Sequence, residues 1–409
     1  MEFFFQVKKV EEVLSAIEKF SPLGKENVDL TSAQGRFCAE DLISPEDLPP
    51  FSRSTMDGYA VYARDTFGAR EGEPVVLRLV GEIPMGVEPT FSLSSGEAAK
   101  IATGGMLPEG ADAVVMLEYA EEIGELVEIR RPVAPGENVI TKGEDVPKGG
   151  LILAAHTRIT PGHIGLLASA GITSIPVFKR PKVAIISTGD ELVPPEAPLE
   201  PGKIRDANSF SLCAAVQEAG GTAHIMGIVP DQEEALYSTL QKALMENDVV
   251  LISGGSSVGT RDYTLRCISR LPDAELICHG VAVKPGKPTI LARTGNKAVF
   301  GLPGQVTSAL VVFYIMVRPL LLHLQGACGK DLFLPKVRAK ALRNIASAQG
   351  REDYIRVKLQ EDKEGKLWAE PIFGRSGILS PMAQADGLLH IPSESEGIYE
   401  GEEAEIFLL

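Results

Sequence analysis

Short apolar runs that end abruptly in glycine, hydroxyl and acidic residues are where this sequence could do chemistry. Val249-Val250-Leu251-Ile252 gives way to Ser253-Gly254-Gly255-Ser256-Ser257-Val258-Gly259-Thr260-Arg261-Asp262. Glycines let backbone N–H groups approach an oxyanion with no Cβ in the way, serines add donors, and a helix expected to begin here adds partial positive charge. This is the composition of an anion cradle, although a Gly-Gly turn after a strand also serves as a plain connection into a helix. Asp262, placed at the head of that helix, would repel a phosphate unless a cation lay between them. It therefore reads as a Mg²⁺ or water ligand.

The same pattern recurs. Thr188-Gly189-Asp190-Glu191 follows a buried-type strand, Pro230-Asp231 follows another, and Lys284-Pro285-Gly286-Lys287-Pro288 brings two cations into one proline-framed loop. Each carboxylate alone also suits a helix cap. Asp57, in Ser54-Thr55-Met56-Asp57-Gly58-Tyr59-Ala60, fits an Asx turn as well as a functional carboxylate. Thr103 lies in a hydroxyl and glycine loop that also fits a hairpin connection, and Asp145 in a turn after Gly143-Glu144. Arg351 and Ser376 read as loop residues near the C-terminus.

These residues need elements to hold them. From residue 178 to 327 strands alternate with helices, which implies right-handed crossovers and a three-layer α/β domain with a mostly parallel sheet. Ligands of such sheets bind beyond the carboxyl ends of the strands, where Glu191, Asp231, Asp262 and the Lys284/Lys287 loop are expected. One of the strands is expected to run through Val281 and Val283. Residues 51–140 show short alternating runs broken by glycine and proline, a β-rich second domain. Residues 1–50 and 141–177 together form a discontinuous linker domain. In it a helix over 161–170 is expected to pack with an amphipathic opening helix carrying Val10, Val13, Leu14, Ile17 and Phe20. Five short strand candidates over 328–409 predict a small, closed, barrel-like β domain.

Composition narrows the partners. The 409 residues carry 40 Lys and Arg against 55 Asp and Glu, a formal net charge of −15, which argues against a nucleic-acid surface. Any anionic substrate must be held by local cations and backbone dipoles against the overall field. Five scattered cysteines without a Cys-x-x-Cys spacing fit reduced thiols in the cytoplasm. The histidines show no zinc-binding spacing. The apolar run 306–324 is interrupted by Arg318 and Pro319 and reads as a buried helix, with no membrane span.

In this order the motifs resemble the molybdopterin molybdenumtransferase family, which includes the E domain of gephyrin. The resemblance covers nearly the whole chain. It rests on the Ser54–Ala60 segment, Thr103-Gly104-Gly105-Met106-Leu107-Pro108-Glu109-Gly110, Ser187-Thr188-Gly189-Asp190-Glu191-Leu192, the glycine loop through Asp262, and Lys284-Pro285-Gly286-Lys287-Pro288. It implies an elongated homodimer whose active site lies between subunits, and the conversion of adenylylated molybdopterin and molybdate into molybdenum cofactor and AMP with Mg²⁺. The implied catalytic set is Asp57, Thr103, Asp145, Glu191, Asp231 and Asp262, with Glu191 and Asp262 on the metal. Thr188, Gly189, Asp190, Gly254, Gly255, Ser256, Ser257 and Gly259 would hold the nucleotide-linked pterin. Pro285, Gly286, Pro303 and Gly304 belong to the implied substrate-binding set as well, and Lys284, Lys287, Ser308, Arg351 and Ser376 would form the oxyanion pocket. A molybdopterin adenylyltransferase and recipient molybdoenzymes are the implied partners.

The chain departs from the family in places. Gln305-Val306 stands where Asn-Pro is common, Gly280 beside His279 where some members have lysine, and Ser256 where valine is common. Two other readings compete: an adenylyltransferase-like enzyme, which would lack the long flanking domains, and a non-catalytic scaffold of the gephyrin type, which would not need every acidic residue.

Overall fold

The structure is a computed structural model that describes residues 7–254 and 258–409, with the side chains of 258–262 outside the description. Its centre is a six-stranded sheet in the order Thr222–Val229, Lys182–Thr188, Val249–Gly254, Lys297–Leu302, Ile290–Thr294, Glu275–His279. The first four strands are mutually parallel, and Ile290–Thr294 runs antiparallel to both of its neighbours. Five of the six therefore point one way. Alternate residues of these β-branched strands face opposite layers: Ile185, Leu251 and Phe300 on one side, Ile186, Ile252 and Val299 on the other. Helix Asn208–Glu218 and the long helix Val306–Leu324 cover the first face, and Glu233–Glu246 with Val258–Ser269 covers the second.

The connection leaving Lys182–Thr188 goes to one side of the sheet and that leaving Val249–Gly254 goes to the other, so their adjacent ends mark the topological switch point. There the backbones are nearly in contact. A Cβ on Gly254 would stand 2.1 Å from the Thr188 carbonyl oxygen, so only glycine closes the strands at this point. The apolar helix Val306–Leu324, with a π turn at Phe313–Val317, is 78% buried and is a core element.

Two β units flank this centre. One is a six-stranded sheet, in the order Ala113–Met116, Gly58–Val61, Glu97–Ile101, Val75–Ile83, Leu126–Ile129, Ala120–Ile123. The other, after residue 335, contains five strands, Glu352–Glu361, Leu367–Pro371, Lys336–Ala341, Glu403–Leu408 and Gly387–Ile391, whose last member pairs back to the first and closes a barrel. Sequence-distant pieces make up the remainder: Lys25–Asp29 pairs with Ser174–Phe178, and Leu42–Ile43 with Leu151–Leu153.

Three local expectations are corrected. The opening helix Val10–Ser15 does not pack on helix Pro161–Ser169. Val10, Val13, Ile17 and Phe20 join the core of the central layer, whereas Leu167 packs with Ala33, Cys38 and Ile175, because each apolar stripe meets the larger apolar surface nearest to it. Val283–Lys284 leaves the central sheet and pairs in parallel with Glu352–Asp353 of the barrel. Helix Val258–Ser269 begins inside the glycine loop, which puts Asp262 in its second turn and not at its head.

Gly254→Ala should lower stability by about 1–3 kcal/mol, because the colliding atom is backbone and cannot rotate away. A urea midpoint equal to that of the unsubstituted protein would show that the two strand ends separate freely.

Candidate functional site

Beyond the switch point the described candidates form a hydrogen-bonded group. Thr188, buried at the end of its strand, donates its hydroxyl to Asp231 Oδ1. The Asp231 backbone N–H donates to Asp190 Oδ1 at 3.2 Å. Gly189 and Glu191 continue the same loop, with the Glu191 carboxylate exposed and folded back over Gly189. Oxygen donors from two adjacent strand ends thus gather beside Gly254. Gly255, Ser256 and Ser257 lie outside the described residues, as do the side-chain surroundings of Gly259 and Asp262.

A cavity of about 860 Å³ opens where the central sheet meets the barrel. Its walls include Lys284, Lys287, Ser308, Arg351 and Ser376, the whole expected oxyanion set, together with Pro285, Gly286, Pro303 and Gly304 of the expected substrate-binding residues. The volume suits a ligand well beyond a single tetrahedral ion. Gly286 has φ +124°, and a Cβ there would meet Val312 Cγ2 at 2.4 Å, so the Lys284–Lys287 loop can lie flat on the helix only with glycine. Asp353 is fully buried between two of the cations: its Oδ1 accepts from Arg351 Nε at 3.1 Å and its Oδ2 lies 3.3 Å from Lys284 Nζ.

Arg356, Arg375 and Gln305 also line this cavity and were missing from the expected set. Arg356 is only 9% exposed; one Nη donates to the Gly374 carbonyl at 3.0 Å, and Nε has no partner among the described residues. Burial pulls its guanidinium below the usual arginine range, with no carboxylate opposing the effect. A guanidinium does not escape burial by losing its proton, so a charge held this way favours an anionic ligand. The sequence carried no clear signal for it: in strand Glu352–Glu361 Arg356 alternates with Ile355 and Val357 as the exposed Lys358 does with Val357 and Leu359.

Asp57 and Thr103 meet on the N-terminal β unit. The Thr103 backbone N–H (2.7 Å) and hydroxyl (3.0 Å) both donate to Asp57 Oδ1, and these bonds hold the carboxyl below its ordinary range. Asp145 lies in a separate exposed turn, its N–H bonded to the Leu48 carbonyl, and shares a shallow cleft with Arg53. Among the described residues no hydrogen bond or ion pair joins Asp57 or Asp145 to Asp190, Glu191 or Asp231 of the same chain. No group of three or more metal-ligating side chains occurs among the described residues either.

Acids and amides at a sheet switch point, next to a cationic cavity, define a multidomain α/β protein built to hold anions. Comparison with known proteins gives the family. Family models for the MoeA N-terminal region (domains I and II), a probable molybdopterin-binding domain, and the MoeA C-terminal region (domain IV) match residues 8–171, 184–323 and 338–409. The chain is 32% identical to a molybdopterin molybdenumtransferase of Bacillus subtilis over 98% of its length and 94% of the relative's. Its identity to one from Nostoc is 39% over 81% of this chain and 76% of that protein. A solved molybdopterin biosynthesis MoeA protein from Pyrococcus horikoshii superposes with a TM-score of 0.83 at 42% identity, covering 98% of this chain and 99% of that one. The chain belongs to the MoeA family.

The depressed folded pKa of Asp57 means that its contact with Thr103 contributes fully above the unfolded carboxyl pKa and is lost as pH falls through the lowered folded value. In Thr103→Val one of the two donors is removed, and the Asp57 titration followed by NMR should move upward. An unmoved midpoint would show that the hydroxyl does not hold the carboxylate.

Proposed function

We propose that this protein is a molybdopterin molybdenumtransferase that uses adenylylated molybdopterin and molybdate and releases AMP in molybdenum cofactor biosynthesis. The observation that carries this reading is the cavity, where five cationic side chains, Lys284, Lys287, Arg351, Arg356 and Arg375, converge in a chain whose net charge is −15. A small dianion requires such a local reversal of field. The Thr188–Glu191 loop, Asp231 and Gly254 all fall within the segment matched by the molybdopterin-binding model, which supports the sheet edge as the seat of the pterin nucleotide.

In this reading Thr188, Gly189, Asp190 and the loop 254–259 hold the nucleotide-linked end, and the molybdate waits between Lys284, Lys287, Ser308 and Arg356. Carboxylates such as Glu191, at the sheet edge, and Asp262, in helix Val258–Ser269, are the hard oxygen donors that Mg²⁺ takes. Glu191 and Asp262 would hold the ion, which supplies charge neutralisation at the pyrophosphate bridge when bound. Asp57, with Oδ1 engaged by Thr103, keeps Oδ2 for a water or for the reacting pterin. Asp57 and Asp145 lie on elements other than the sheet edge, and a homodimer with the site between subunits would supply them from the second copy. The unpaired thiols suit action in the cytoplasm.

Incubation with purified adenylylated molybdopterin and molybdate should give AMP and active cofactor together. Consumption of ATP with molybdopterin, indifferent to molybdate, would replace this reading with an adenylyltransferase. Lys287→Ala should raise the KM for molybdate by roughly tenfold, the worth of one charge-assisted hydrogen bond, and leave that for the pterin nucleotide unchanged. An equal rise in both would remove Lys287 from the oxyanion pocket.

A further inference from the structure

We propose that the side-chain amide of Gln305 is a specificity-determining donor to the oxyanion, turned into the cavity by the hydroxyl of Ser376. The proposal rests on reading this cavity as the oxyanion pocket. Gln305 is exposed at the start of helix Val306–Leu324, Ser376 belongs to the loop between barrel strands, and both line the cavity. The Ser376 hydroxyl donates to Gln305 Oε1. A second bond ties the same two segments: Thr307 Oγ1 donates to the Ile378 carbonyl at 3.0 Å. The barrel loop is thereby fastened to the helix at two points, and the amide bridges them.

The chemistry follows from the inventory of donors. A serine hydroxyl carries one proton, so the proton given to Gln305 is not given at the same time to a bound anion. An amide has opposite ends: with Oε1 engaged as acceptor, the two N–H bonds of Nε2 remain, and no protein acceptor among the described residues takes them. In a cavity walled by cations these are donors for the same anion. Ser376 then acts as a positioning residue, and Gln305 makes the contact that the sequence alone assigned to the serine. Length matters as well. Asparagine, common at this place in similar sequences, is shorter by one C–C bond, about 1.5 Å, and would not span from the helix start to Ser376 along the same path.

Gln305→Glu separates the two ends of the amide. Its carboxylate still accepts from Ser376, so the loop stays fastened, but the donors are gone and a negative charge faces the pocket. Molybdate binding measured by calorimetry, and the KM for molybdate in AMP release, should weaken by roughly ten- to a hundredfold, the range for a hydrogen bond to a charged group. The KM for adenylylated molybdopterin and the thermal midpoint should stay unchanged. Ser376→Ala should weaken molybdate binding in the unsubstituted background and add nothing to Gln305→Ala, because both act through one amide. Unchanged molybdate binding in Gln305→Glu, a parallel rise in both KM values, or additivity of the two alanine substitutions would overturn the proposal. Absence of molybdate binding by the unsubstituted protein would instead remove the oxyanion reading of the cavity on which it stands.

Discussion

A carboxylate wholly withdrawn from water holds the two halves of the cavity together. Asp353 is fully buried, and its two oxygens face different cations: Arg351, beside it on the barrel, and Lys284, which arrives from the central layer. A buried charge is costly unless it is paired, and removing either partner leaves that cost uncovered. The same residues are aligned by backbone pairing, Val283 with Glu352 and Lys284 with Asp353. Ion pairs and strand register therefore reinforce each other. The barrel is seated on the central layer by the interaction that also orients two cations of the pocket.

This pairing shapes the charge available to a ligand. Lys284 and Arg351 are partly neutralised by Asp353, so they contribute direction more than free charge. Arg356 has no such neighbour; its guanidinium is buried against a carbonyl, with burial alone acting on its proton affinity. Arg356 accordingly brings its charge to a buried part of the wall, where the screening that weakens surface charges is less effective. Asp190, Glu191 and Asp231 instead collect at the sheet edge, outside the residues that line the cavity. Apart from Asp353, these acids and the cavity's cations occupy separate places, as the proposed reading requires if one region receives an anion and the other an anion accompanied by a cation.

Much of this was legible in the sequence because local composition specified it. Runs such as 182–188 and 249–254 end in glycine and hydroxyl residues, and strand–helix alternation puts those ends on one edge whatever the tertiary details. The closed barrel was legible for a similar reason, since five short alternating strands with no helix between them have few ways to avoid free edges. What escaped depends on contacts between distant segments. The opening helix shows an apolar stripe but not its partner, and its stripe found the larger core. Val283–Lys284 looks like a continuation of the preceding strand, yet its partner lies almost seventy residues further on. Arg356 was not singled out, because alternation alone does not say which face of a closing barrel meets a neighbouring domain.

The strand end at Ser253 and the cavity wall at Gly304 are also mechanically joined. Asn208, buried at the first turn of its helix, donates through one amide nitrogen to Ser253 Oγ and to the Gly304 carbonyl at 2.9 Å. Ser253 immediately precedes the glycine loop, and Gly304 lines the cavity. A single buried donor shared between these two acceptors fixes the ends of strands Val249–Gly254 and Lys297–Leu302 relative to each other. Buried hydrogen bonds of this kind are expensive to break without replacement, because the freed groups have no water to turn to. Ser253 and Gly304 are thus held at a set spacing, and in the proposed reading that spacing exists before either ligand arrives.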